Sequence, residues 1–171
     1  MADIIRVYRQ TVGDMLFIGR KYGEADRANG SFGAKWSLWF QNGWFDVIER
    51  QVTASREGMG EDSDAYLGMM RENANGDFEY WIGCFVPKNT AIPEGFEGVQ
   101  WPACDIGVCW VYGKEPDVYK FEGECGKRLE KEGYKIPYTW CFERYTCPRF
   151  TSPDDKGNII LDICFVVDKE Q

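Results

Sequence analysis

Histidine is absent from the 171 residues. That excludes the Ser-His-Asp and Cys-His nucleophile systems, histidine zinc ligands and any imidazole general base. Acid–base chemistry falls to Glu, Asp, Tyr, Lys or Cys. Basic residues are also scarce: 20 Lys+Arg stand against 28 Asp+Glu, a formal net charge of −8. A nucleic-acid face needs clustered Lys and Arg to displace counterions, so this balance argues against one. It favours cationic small molecules instead, or simply solubility. No CxxC pair occurs, and no apolar run approaches the roughly 20 residues of a membrane span. Asp3, Arg6 and Arg9 interrupt the first apolar residues, unlike a signal peptide. The expectation is a cytoplasmic protein without a nucleic-acid or membrane partner, a cofactor or a metal.

What is present is aromatic surface. Phe, Trp and Tyr make up 16% of the chain, with seven Trp, beyond what a core of this size needs. The hydrophobic share of 44% and the charged share of 28% are those of a globular domain. The odd count of seven cysteines, several inside apolar runs such as Ile163-Cys164-Phe165, reads as buried free thiols rather than a disulfide framework.

Periodicity divides the chain into two similar halves. Ile4–Tyr22 reads as strands with a turn at Gly13-Asp14. The stretch from Phe32 to Val52 then places Trp36, Trp39, Phe40, Gly43 and Val47 on one helical face. Thr53–Asp64 is a Gly- and charge-rich loop, after which strands at Ala65–Glu72 and Phe78–Val86 flank an Asn-Gly hairpin turn. The second half offers strands at Phe96–Trp101 and Cys104–Tyr112. A helix follows from Pro116 to Gly133 with Val118, Phe121, Cys125 and Leu129 on its apolar stripe. Gly123 and Gly126 weaken that helix, which calls for a packing reason. Trp140–Thr146 and Ile159–Val167 close it as strands. This is an α+β single domain over 1–171, with strand–helix–strand–strand repeats at 1–87 and 94–171.

The stretch Phe85-Val86-Pro87, Ile92-Pro93-Glu94-Gly95-Phe96 and Trp101-Pro102-Ala103-Cys104-Asp105-Ile106-Gly107-Val108 resembles the GyrI-like small-molecule-binding family. So do Cys141-Phe142-Glu143-Arg144-Tyr145-Thr146-Cys147-Pro148-Arg149-Phe150 and Gly157–Ile163, and Arg6–Tyr22 looks like the family's first strand pair. The resemblance implies a pseudo-twofold fold in which one antiparallel sheet forms a platform and two helices flank a ligand cleft. It also implies binding of hydrophobic, often cationic, compounds. Relatives include drug-binding (effector-binding) domains of bacterial multidrug-responsive transcription regulators, a gyrase-inhibitory protein, and stand-alone hydrolases that open the cyclopropane rings of DNA-alkylating toxins. With both halves consumed by repeats, this chain looks like a stand-alone member.

The family's pocket acid falls on Glu143 by this resemblance. Trp140, Phe142 and Tyr145 around it would desolvate the carboxylate, although a surface pairing with Arg144 or Arg149 is the plain alternative. Trp36, Trp39, Phe40 and Trp44 crowd one helix, and two of the four are expected to face the cleft. Trp110 and Tyr112 share a sheet face and are candidate wall residues. Glu122 is a candidate second carboxylate, catalytic with Glu143 only if the protein is a hydrolase, and otherwise part of a solvated helix face. Glu79 and Glu115 are weaker candidates, and Glu61, Asp62 and Asp64 read as loop solvation. The expectation is a binder of aromatic cations. A cofactor-independent hydrolase of strained rings and a gyrase-interacting protein are the alternatives.

Overall fold

The computed structural model describes residues 1–137 and 140–169. Nine strands are connected in the order β1 (Asp3–Val12), β2 (Met15–Tyr22), β3 (Tyr66–Glu72), β4 (Phe78–Pro87), β5 (Glu97–Trp101), β6 (Cys104–Gly113), β7 (Tyr134–Lys135), β8 (Cys141–Tyr145) and β9 (Ile159–Lys169). Helices α1 (Gly33–Asn42) and α2 (Trp44–Glu49) lie between β2 and β3. Helix α3 (Glu122–Lys131) lies between β6 and β7, preceded by a 3-10 turn at Asp117–Lys120.

All strands join one antiparallel sheet, ordered β1-β6-β9-β8-β3-β4-β2-β5, with the short β7 added to β9. The order reads symmetrically about the β8–β3 contact. Each half supplies three inner strands, and the outermost strand on each side comes from the other half. β1 pairs with β6, and β5 with β2.

Strands β2, β4 and β9 are buried in nearly continuous runs, because the sheet is covered on both faces, while β1 at the edge is mostly exposed or half-buried. The helix signal from Phe32 to Val52 breaks in two, because Gly43 adopts the left-handed conformation (φ 63°, ψ 32°) and ends α1. Its N–H caps the carbonyls of Trp39 and Phe40. A glycine that sits on a helical face by spacing is here the helix terminator, since only glycine takes this conformation at little cost. In α3, Cys125 and Leu129 are buried four residues apart, while Glu122 and Glu124 begin the helix and Arg128 and Lys131 end it, matching its dipole. The packing reason expected at Gly123 is not found, for a Cβ there meets nothing within 4 Å. The close approach is made instead by Gly107, whose Cβ would lie 2.7 Å from Leu129.

Helices α1, α2 and α3 cover one face of the sheet in two separate apolar clusters. One groups Trp39, Phe45 and Ile48 with Ile18, Tyr80 and Ile82, and the other Cys125 and Leu129 with Cys109, Val111 and Phe165. The opposite face buries Phe17, Trp81, Phe85, Phe142 and Val166 against one another, with Met59 of the 53–64 segment. Trp101 on β5 and Phe142 on β8 have ring centroids 6.1 Å apart, although four strand spacings, roughly 19 Å in a flat sheet, separate their strands. The sheet therefore curls tightly around this second core. All seven cysteines are free; Cys147 is exposed, Cys104 half-buried and the rest buried. No helix of the described residues is long and apolar enough to cross a membrane.

Candidate functional site

The gap between the two helical clusters lies over the β8–β3 contact. In that register Cys141, Glu143 and Tyr145 face the helices, opposite Met70, Gly68 and Tyr66. Gly68 lets the Tyr80 hydroxyl and the Trp36 ring lie close against the floor at this point. A Cβ there would fall 2.5 Å from the Tyr80 hydroxyl and 3.4 Å from the Trp36 ring.

Glu143 is half-buried at this floor. Tyr145, two residues along the same strand face, donates a short hydrogen bond to it. Burial pushes the Glu143 carboxyl up to about 7, against the lowering effect of that hydrogen bond and with help from the charge of Glu122. The surrounding hydroxyls are held protonated. Tyr145 is raised well above its ordinary value by burial and by Glu143. Tyr80 is raised by the same two causes, and Tyr119 by burial and Glu115. Burial and the nearby charge of Glu122 raise Cys141. Among the described residues no lysine or arginine forms an ion pair with Glu143, Glu122 or Glu115.

The walls are aromatic. The Trp36 indole donates to Tyr80 Oη at 2.8 Å and meets the Tyr145 ring edge-on at 4.8 Å. Phe40 is 60% exposed at the rim, beside Trp36 and Tyr66. Tyr66 stacks flat on Phe45 at 3.6 Å.

Of the residues singled out from the sequence, the structure brings Glu143, Tyr145, Glu122, Trp36 and Phe40 to this gap. Trp39 goes elsewhere: it is wholly buried, donates to Tyr22 Oη at 3.0 Å and packs on Phe45 and Phe96 as core. Trp110 and Tyr112 do share a face, but it is the face away from the helices, because Cys109 and Val111 are the residues of β6 that meet α3. Trp110 is held between the guanidinium groups of Arg6 and Arg149, and Tyr112 bonds to Asp154 and Asn158. Trp140 also lies on the far face, between Trp101 and Arg71. Glu79 is tied to Arg71, Asn73 and Trp81.

The alternative pairing of Glu143 with its neighbouring arginines does not form. Arg144 and Arg149 instead bind Asp162 beneath the sheet, Arg144 Nε at 2.8 Å and Arg149 Nε at 2.9 Å. Asp62 joins them at 2.8 Å from Arg149, so it is an ion-pair member rather than a solvating loop residue. Tyr8 and Gln10 complete the group by bonding Arg144. Tyr80, Tyr119, Tyr66 and Gly68 had no sequence signal of their own, save that an isolated glycine inside a strand marks a close approach.

A scan of protein-family models and a sequence search of curated proteins find no match. Solved structures do match. SAV2435 bound to tetraphenylphosphonium aligns with a TM-score of 0.68 at 16% identity, over 96% of this chain and 94% of that one. The EcmrR C-terminal domain aligns at 0.61 and 14% identity, over 96% and 98%. The chain shares the fold of these two proteins. A hydrolase from Listeria innocua shares it more loosely, at a TM-score of 0.54 and 9% identity over 95% and 92% of the two chains.

Proposed function

We propose that the chain binds lipophilic, aromatic cations in the gap between α1 and α3. The observation that carries this reading is Glu143: a half-buried carboxylate among aromatic rings, with no cationic partner among the described residues. A desolvated anion without a counterion is unfavourable, and a cation that brings its own apolar surface relieves that cost while gaining contact with the ring faces. Trp36, Phe40 and Tyr66 supply that surface, and Glu122 and Glu115 add negative potential at the rim. The fold shared with a protein captured with tetraphenylphosphonium supports the same reading.

The test is calorimetric titration with tetraphenylphosphonium. Glu143→Gln should weaken binding by about tenfold or more, as expected for a lost buried charge partner. Because Glu143 must be ionised, affinity should fall about tenfold per pH unit below about pH 7, with one proton released on binding. Equal affinity of wild type and variant, or a flat pH profile, overturns the assignment.

A second reading has its own support. A carboxyl near 7 beside Glu122 and a tyrosine hydroxyl is suited to moving a proton to or from water. Mass analysis of a cyclopropane-bearing alkylator after incubation decides it. A gain of one water that Glu143→Gln abolishes makes the protein a hydrolase; full recovery of the compound leaves it a binder.

A further inference from the structure

A second cavity opens away from Glu143, where the β5–β6 turn meets the end of β9. It measures about 640 Å³, within the size range of small-molecule pockets. Val12, Trp101, Pro102, Trp140 and Val166 form apolar walls. Its polar lining includes Asp105 and Asp168 and, among the described residues, no lysine or arginine. No residue of the cleft around Glu143 contributes to it. Trp140, expected from sequence beside Glu143, belongs here.

The two carboxylates differ. Asp105 already accepts from Thr11 Oγ1 at 2.7 Å and faces Arg9 at 3.8 Å. Asp168 is exposed and forms no ion pair among the described residues. The Trp101 and Trp140 rings meet at 5.6 Å with a 56° tilt, which leaves a wedge rather than a closed stack. Aromatic walls with one unengaged carboxylate at the rim are the complement of a ring carrying an ammonium group.

We propose that this cavity is a second ligand site, which takes an aromatic primary amine with its ring against Trp101 and Trp140 and its ammonium on Asp168. It is independent of the cleft at Glu143 and stands or falls apart from it. The probe is 4-bromophenethylamine, whose bromine can be located by anomalous scattering in crystals of the full chain. Affinity is followed by tryptophan quenching for wild type, Asp168→Asn, Trp140→Leu and Glu143→Gln.

The expected result is a bromine peak beside Trp140. Quenching from this site should persist in Glu143→Gln, which removes the cleft's own binding of the probe, and in that background its affinity should fall about fivefold when Asp168→Asn is added, the loss of one exposed charge contact. Trp140→Leu should abolish quenching from this site; the exposed Asp168→Asn carries the test if that variant fails to fold. A bromine peak only beside Glu143, or affinity lost in Glu143→Gln but not in Asp168→Asn, overturns the second site and leaves the cleft standing. No peak at either place, or a peak with no quenching below crystal concentration, overturns it as well.

Discussion

Glu143 and Arg144 are adjacent in β8 and point to opposite sides of the sheet. Glu143 stands without a cation under the helices, while Arg144 is buried on the far side and bonded to Asp162. The pleat of a strand separates charges that sequence proximity would pair. One is left for chemistry and the other is spent on structure.

Glu143 should make stability depend on pH. Its carboxyl is near 7 in the folded chain and near 4.5 when unfolded. Between those values the folded state binds the extra proton, so stability falls as pH rises through that window. The loss above pH 7 is at most about 3 kcal/mol, reduced by whatever water reaches the half-buried group. Glu143→Gln should therefore melt higher than wild type at pH 8 and equally at pH 4. A variant that melts lower at pH 8 contradicts this.

Asp162 is wholly buried and bonds both Arg144 and Arg149. Asp162→Asn leaves two guanidinium groups beneath the sheet with only Asp62 to balance them. The expected cost is about 3–5 kcal/mol in urea denaturation. A loss below 1 kcal/mol would mean that water already screens this cluster.

Gly68→Ala places a methyl group 2.5 Å from Tyr80 Oη. Tyr80 cannot yield freely, since it stacks on Phe32 at 4.1 Å and accepts from Trp36. We expect a stability loss of about 1–3 kcal/mol, as for overpacking elsewhere. Tetraphenylphosphonium binding should weaken with it, because Trp36 and Tyr80 shift together. Unchanged melting and affinity would show that the floor is looser than described.

Thiol reactivity should sort by depth. Cys147 is exposed and should react with a disulfide reagent within seconds, followed by half-buried Cys104. Cys84, Cys109, Cys125, Cys141 and Cys164 should react only after denaturation. Counting thiols released before and after guanidinium addition checks this.

Most strands are legible in the sequence because they are short apolar runs bounded by turns that carry Gly, Asn and Pro. The Asn73–Asp77 turn, with Gly76 at φ 81°, is one example. Which side of a strand faces the helices was not legible for β6. Cys109 and Val111 look to α3, Val108 and Trp110 look to the inner core, and both sets are apolar. A sheet that curls around a second core removes the polar face that tells the two sides apart, so the expectation that Trp110, Tyr112 and Trp140 line the cleft differs from the far face on which they lie. Glu143 and Trp36 were placed by resemblance and crowding. Tyr80 and Tyr119 carry no signal in spacing, because the sheet brings their hydroxyls toward Glu143 from positions far from it along the chain.

The crossed outer strands bear on how the chain is made. β1 leaves the ribosome well before its hydrogen-bonding partner, β6, which begins about a hundred residues later at Cys104. Until then the first ten-residue strand has no ladder to join, and β2 likewise waits for β5 on its outer side. Neither half can finish its own sheet by itself. Contacts that span so much chain slow the search for the native topology, and they bind both halves into one unit that is gained or lost together. A cut in the 88–96 connection would nick the chain and still leave two pieces held by each other's edges.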